Sequence, residues 1–511
     1  MKQQIIKCIA LCLMPLLLTS CWQEPIMEEK SNSLLPEEEI LSESTTSRVI
    51  LPEHFSLPYA PDVTLDPISC PDGMQQAAAS LLYEGLFRLS PSFEAEPWLC
   101  ESYTYDAATL TYTFSLRTDV VFSDSSPLTT DDVTATLNRA RTSERYGSRL
   151  TGITDITAEG STVTMTLSAP NTELPALLNI PIVKAGTEQN PAPIGTGPYL
   201  FSLENTQPWL IANQQWWRGN GQPTDRIALV EAADQDTKLY RFTSHEVQLI
   251  TADLTGTDPI SATGNTGYLD ANTTILQYLG CNVTRAPMDN PTFRKALSAG
   301  INRSHIVSAF LSGHAKATQF PISPAAALYP VDLEIPYTHE ALATELERAG
   351  YLAERTLTLL VNAENTFKVS VAQYLAETFT AAGVPMEAKV LPWEEYTAAL
   401  ASGDFDLYYG EVKLSADWDL TALLAAGGSL NYGGWANSTT DNLLSAFAAS
   451  EDRSPSARTL CLHLQQSASI LPLCFKSTSV LIQTDVLEGL HPTMAEPFYN
   501  LTDCTIHLQS P

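Results

Sequence analysis

Positive charge is what this chain has least of. Its 511 residues hold 28 Lys and Arg against 58 Asp and Glu, a formal net charge of −30. Non-specific nucleic-acid binding needs clustered cations, so that class is excluded. Metal-ligand spacing is missing too. None of the nine cysteines forms Cys-x-x-Cys, and the eight histidines form neither His-x-x-x-His nor His-Glu-x-x-His. Structural zinc and zinc-protease chemistry drop out, and neither metal nor cofactor is expected. There is no Gly-x-Ser-x-Gly elbow; the nearest approach, Gly427-Gly-Ser429-Leu, continues with Asn431. Gly195-Thr-Gly-Pro-Tyr199 is no phosphate cradle, because no Lys-Ser/Thr follows and Pro198 removes a backbone donor. It reads as a tight turn where the chain passes between domains. No residue argues for an enzyme. Past residue 50 no apolar run approaches the roughly 20 residues that span a bilayer.

The first twenty-one residues differ from the rest. Lys2 and Lys7 precede an apolar run from Ile9 to Leu18, and Leu18-Thr-Ser-Cys21 follows. The run is too short for a transmembrane helix and fits a cleavable export signal. Its end resembles a bacterial lipobox, which implies that Cys21 is lipid-modified and becomes the mature N-terminus. Residues 22–47 carry Glu24, Glu28, Glu29, Glu37, Glu38, Glu39 and Glu43 against Lys30 alone. Such an acidic, aromatic-poor stretch reads as a disordered, self-repelling linker. The expected location is extracytoplasmic, at the cell membrane on a lipid tether.

At this length two or three domains are expected. Outside the cell Cys70, Cys100, Cys281, Cys461, Cys474 and Cys504 could pair or remain buried thiols, and the sequence leaves both open. Arg48 to Leu51 reads as a strand ended by Pro52. Residues 109–117 alternate apolar and hydroxyl side chains, as does Ser161 to Leu167, which predicts half-buried strands. Thr129 and Asp132 form a capping-box start for a helix whose Val133, Leu137 and Ala140 share a face. From 338 to 391 the order is helix, strand, helix, strand, with Thr338 as a cap and Gly350 and Gly383 as helix stops. That order predicts a parallel strand pair.

Two loops draw attention as a binding site. A strand from Leu407 to Val412 runs into Asp417-Trp418, an acid beside a large aromatic. Downstream, Gly427 to Trp435 mixes glycines with Asn431, Tyr432 and Trp435. Glycines permit close backbone approach to a ligand, and aromatic rings give flat contact faces.

The whole stretch from about 48 to 505 resembles family 5 of the bacterial extracellular solute-binding proteins, which holds the oligopeptide- and dipeptide-binding lipoproteins of ABC importers. The likeness rests on Thr64-Leu-Asp-Pro67, Tyr83-Glu-Gly-Leu-Phe87, Leu110 to Arg117, Phe122-Ser-Asp124 and Pro127 to Val133. Gly195 to Tyr199, Arg294-Lys-Ala-Leu297, Ile301-Asn-Arg303, Ala349-Gly-Tyr351, Gly403 to Leu407 and Leu471-Pro-Leu473 extend it. The chain departs from the family pattern at Lys413-Leu414, Asp419-Leu-Thr, Ser125 and Asn302.

What the resemblance implies is an α/β, periplasmic-binding-protein-like fold of type II, a Venus-flytrap with two lobes plus an inserted extra domain. Domain I would comprise 48–66, 190–270 and 475–511, domain II 67–189, and domain III 271–474. A monomer would capture an oligopeptide by domain closure and deliver it to an ABC permease. Asp417 falls where peptide-binding relatives place an aspartate that pairs with the ligand's α-amino group, with Trp418, Asn431, Tyr432 and Trp435 as further ligand-binding residues. The same fold could instead take a nickel complex, haem or an oligosaccharide, or serve a peptide sensor without a transporter.

Overall fold

The computed structural model describes residues 51–71, 73–257, 260–262 and 264–510. The expectations for the export signal, Cys21, the acidic linker and residues 48–50 lie outside them. Leu51 belongs to no strand; the first one is Phe55–Tyr59, and it tolerates Pro58 because it lies at a sheet edge.

Three sheets organise the chain. The first runs Phe55–Tyr59, Arg226–Glu231, Gln207–Ala212, Tyr199–Glu204 in spatial order, with one parallel and two antiparallel pairings. The second is antiparallel: Cys100–Asp106, Thr111–Leu116, Thr162–Leu167, Ile153–Glu159. Alternation sets its faces, as Tyr112, Phe114 and Leu116 are buried from one strand and Val163, Met165 and Leu167 from its neighbour. Helix Thr130–Ala140 covers that face with Val133, Leu137 and Ala140. It begins at the capping box, where the Thr129 amide donates to the Asp132 carboxylate at 2.9 Å. Such a cap contributes about 0.5–2 kcal/mol.

The third sheet is mixed and holds the 338–391 passage. Leu357–Asn362 pairs in parallel with Met386–Leu391 across helix Thr366–Ala381, whose Val371, Leu375 and Phe379 are buried. Gly350 and Gly383 end their helices at φ of 62° and 94°. Thr338 does not cap. Helix Ala341–Ala349 starts after Glu340 with no side-chain cap, and Thr338 supplies only a carbonyl to the Ala341 amide.

Two strands tie the lobes together. Thr266–Cys281 and Ile470–Gln483 run antiparallel for 16 and 14 residues. At about 3.3 Å per residue, 16 residues reach roughly 50 Å. Val480 and Ile482 belong to the core of the first sheet, whereas Leu471, Leu473, Leu279 and Cys281 belong to that of the third. The same two strands therefore serve both cores. Their register shifts between Asn272 and Leu276, midway, where the Thr273 hydroxyl donates to the Lys476 carbonyl. The domain limits expected at 270/271 and 474/475 fall inside these strands.

Gly195 and Gly197 are required by close approach rather than by a left-handed turn. A Cβ at either would stand 2.1 or 2.5 Å from the carbonyl oxygen of Leu82 or Leu81. Among the described residues no two cysteines are bonded to each other, and all six are buried. Burial pushes the thiols of Cys100, Cys281 and Cys474 up to about 12, so almost no thiolate exists at neutral pH. Residues 22–511 are expected to show six reactive thiols to a disulfide reagent in denaturant and none in the native state. Fewer than six in denaturant without reductant would reveal a disulfide.

Candidate functional site

Between the lobes lies a cavity of about 840 Å³, within the roughly 300–1,000 Å³ usual for ligand clefts. One wall comes from Ser69, Cys70 and the segment Arg139 to Arg149; the other comes from Thr274 and from Lys413 to Ala416. The second wall is the end of strand Leu407–Lys413, where Leu414 still donates its amide to Thr274. Ser415 and Ala416 have left the sheet, and their amides meet no backbone carbonyl among the described residues.

Asp417 follows directly and is buried, 6% exposed. Its carboxylate accepts from the Ser415 hydroxyl at 2.5 Å, the Asn171 side-chain amide at 2.8 Å and the Asp419 amide at 3.3 Å. All three donors are neutral. The nearby cation, Arg453, donates instead to the Asp417 main-chain carbonyl at 2.7 Å. Its guanidinium lies 3.8 Å over the Phe447 ring, and its Nε and Nη1 have no hydrogen-bond partner among the described residues. Burial lowers the Arg453 pKa against the pull of Glu173, Asp417 and Asp419. Burial likewise raises that of Glu173, which Arg453 opposes.

Asn171 brings the inserted domain against this loop. Thr172 continues the contact, donating its amide to Ala448 at 3.0 Å and its hydroxyl to Ser450 at 2.8 Å. Asp417 thus sits at a point where the two lobes touch, next to the cavity wall.

The other expected residues take different places. Trp418 has φ of 57° and only 2% exposure; its ring stands edge-on to Phe93 at 5.2 Å and Phe475 at 5.8 Å. It is a packing residue between the lobes, which locks the backbone that carries Asp417. The side-chain amide of Asn431 spans its own loop, donating to Ala425 and Trp435 carbonyls and accepting from the Trp435 amide. Tyr432 is 37% exposed and edge-on to Tyr408. Trp435 donates its indole N–H to Thr440 at 3.1 Å and borders a separate cavity of about 480 Å³ with Arg294 and His463. None of these four side chains lines the inter-lobe cavity. The glycines of this loop serve the chain itself: a Cβ at Gly433 would lie 2.0 Å from the Cys281 carbonyl oxygen.

Sequence reasoning missed the wall from Arg139 to Arg149. A signal was there, since Arg139, Arg141, Arg145 and Arg149 crowd one stretch of a cation-poor chain. Three of them, with Lys413, border the cavity.

The family model for bacterial extracellular solute-binding proteins, family 5, middle region, matches residues 94–433. The chain belongs to this family. Glutathione-binding protein GsiB from Salmonella typhimurium is 27% identical over 387 residues, covering 71% of this chain and 76% of the relative. Its Escherichia coli K12 counterpart is 26% identical over the same length. Among solved structures, the unliganded open form of the periplasmic murein tripeptide binding protein MppA superposes with a TM-score of 0.75 at 19% identity, covering 89% of this chain and 98% of that one. A nickel ABC transporter protein from Bacillus halodurans gives 0.74 at 20% identity, covering 87% and 97%. AppA from Bacillus subtilis, in complex with a nonapeptide, gives 0.60 at 19%, covering 89% and 100%. The fold is that of type II periplasmic binding proteins.

This family 5 member is an extracytoplasmic solute-binding protein and not an enzyme. No described helix is long and apolar enough to cross a membrane. Removing one partner of a buried charge cluster typically costs about 3–5 kcal/mol. Arg453→Met is therefore expected to lower unfolding free energy by about 3 kcal/mol in a urea titration. A loss below about 0.5 kcal/mol, the usual size for a surface change, would show the guanidinium to be idle.

Proposed function

We propose that this protein is the substrate-binding component of an ABC importer, tethered through a lipid on Cys21, and that it captures oligopeptides by closing its lobes. The observation that carries the ligand reading is the Asp417 carboxylate. It is buried, its hydrogen-bond donors among the described residues are neutral, and its residue follows directly on Ser415 and Ala416, which line a ligand-sized cavity. A buried carboxylate without a directly bonded cation favours one. A peptide α-amino group supplies that charge in the smallest form. The amides of Ser415 and Ala416 then meet the ligand's own main chain, as in strand addition, which is indifferent to side-chain identity. Relatives support the class. Glutathione, named for GsiB, is a tripeptide, and AppA carries a nonapeptide.

Trp418 positions Asp417 from behind in this reading. The loop of Asn431, Tyr432 and Trp435 closes the same lobe and reaches ligand only if the lobes rearrange on binding. Domains I, II and III follow the limits given above, with the two long strands as the hinge. A ligand that touches both walls favours the closed state by its differential affinity for the two states. A membrane permease that recognises the closed form then receives loaded protein.

The test is calorimetry with a pool of tri- to pentapeptides on residues 22–511. Truncating one member of a buried charge pair costs about 2–5 kcal/mol, roughly 30-fold to several thousand-fold. Asp417→Ala is expected to weaken binding by that much, and N-acetylation of the peptides is expected to do the same to the unaltered protein. A change below threefold in both would remove Asp417 from the site.

A further inference from the structure

The two oxygens of the Asp417 carboxylate are served from different places. Oδ1 accepts from the Ser415 hydroxyl and the Asp419 amide, both within two residues in its own loop. Oδ2 accepts from the Asn171 side-chain amide at 2.8 Å, which belongs to the inserted domain. Asn171 is held in place for this contact. Its own Oδ1 accepts from the Glu173 amide at 2.9 Å, which turns the NH2 end toward Asp417. Its main-chain carbonyl accepts from the hydroxyl of buried Tyr112 at 3.0 Å. Thr172 extends the contact. Its amide and hydroxyl reach the carbonyls of Ala448 and Ser450 at the C-terminal end of helix Ser438–Ala449, where carbonyls lack intrahelical partners. No cation takes part in these cross-lobe bonds. From Thr172 the chain runs through helix Leu174–Leu177, and Ala176, Leu177 and Asn179 line the cavity.

We propose, resting on the reading of Asp417 above, that Asn171 holds the place of the ligand's amino group before ligand binds, and that the arriving peptide displaces it. Asp417 is 6% exposed, and the cavity is lined by Ser415 and Ala416 but not by Asp417 itself. An amine that follows this wall reaches Oδ2 where the Asn171 amide stands. An ammonium adds the attraction of opposite charges to the hydrogen bond, which a neutral amide does not. The exchange is therefore favourable for a free amino end. A neutral end gains nothing by it and leaves the contact shut, so Asn171 acts as a filter for the charge. Asn171 and Thr172 are neighbours, so release of one frees the other from the helix end. Recognition of the amine is thereby coupled to movement of the inserted domain against the third sheet's lobe.

Hydrogen exchange and calorimetry on residues 22–511 test this, with a pool of tri- to pentapeptides as the probe. On adding the pool, the Thr172 amide is expected to exchange about tenfold faster, while those of Ser415 and Ala416 slow. Asn171→Ala is expected to bind the pool about three- to tenfold tighter, because nothing has to be displaced. Thr172→Ala, which touches neither Asp417 nor the cavity lining, is expected to give a smaller gain, and it carries the test if Asn171→Ala fails a thermal-melt check. Weaker binding by Asn171→Ala, no gain in either folded variant, or slower exchange at Thr172 with peptide bound overturns the displacement. Asp417→Ala separates this from the peptide reading. If that variant loses the pool while Asn171→Ala gains nothing, the displacement fails and the amine reading stands. If Asp417→Ala binds the pool as well as the unaltered protein does, or neither binds it, both fail.

Discussion

Two antiparallel strands, Thr266–Cys281 and Ile470–Gln483, are shared by two hydrophobic cores, and this sharing is the constraint on which the molecule depends. A strand buried in one core at its start and in another at its end cannot shift register without exposing both, because a one-residue slip turns each side chain to the other face. The connection between the lobes is thereby fixed in place, while the irregular stretch between Asn272 and Leu276 offers a point at which it can bend. Leu407–Lys413 pairs with the same long strand and ends at the cavity. The position of Asp417 follows from that pairing.

Charge is distributed to the same plan. In a chain of net charge −30 the cavity is bordered by three arginines and a lysine, and buried Asp417 follows directly on Ser415 and Ala416 of its lining.

Much of the fold was legible in the sequence because its signals are local. The Thr129–Asp132 cap, the alternation from Thr111 to Leu116, and the helix stops at Gly350 and Gly383 each need only a few neighbouring residues. Thr338 failed because Glu340 takes the last position before the helix, two residues later than the motif suggests. The site was less legible. Asp417 could be singled out as an acid at a strand end, but its burial depends on Asn171, 246 residues away. Trp418 reads as an exposed ring until Phe93 and Phe475 are seen to enclose it. The glycines at 427–434 suggest space for a ligand, yet at Gly433 the space is filled by the Cys281 carbonyl. The arginines from 139 to 149 signal a cationic patch, but only the folded chain shows Arg145 and Arg149 facing a cavity with Lys413 on its other side.

Native mass spectrometry of the purified protein, with cargo released and sequenced in the gas phase, tests the central claim most directly. The account predicts a population of short peptides with free amino termini. Cargo without a peptide bond, such as a metal complex or a sugar, would contradict it.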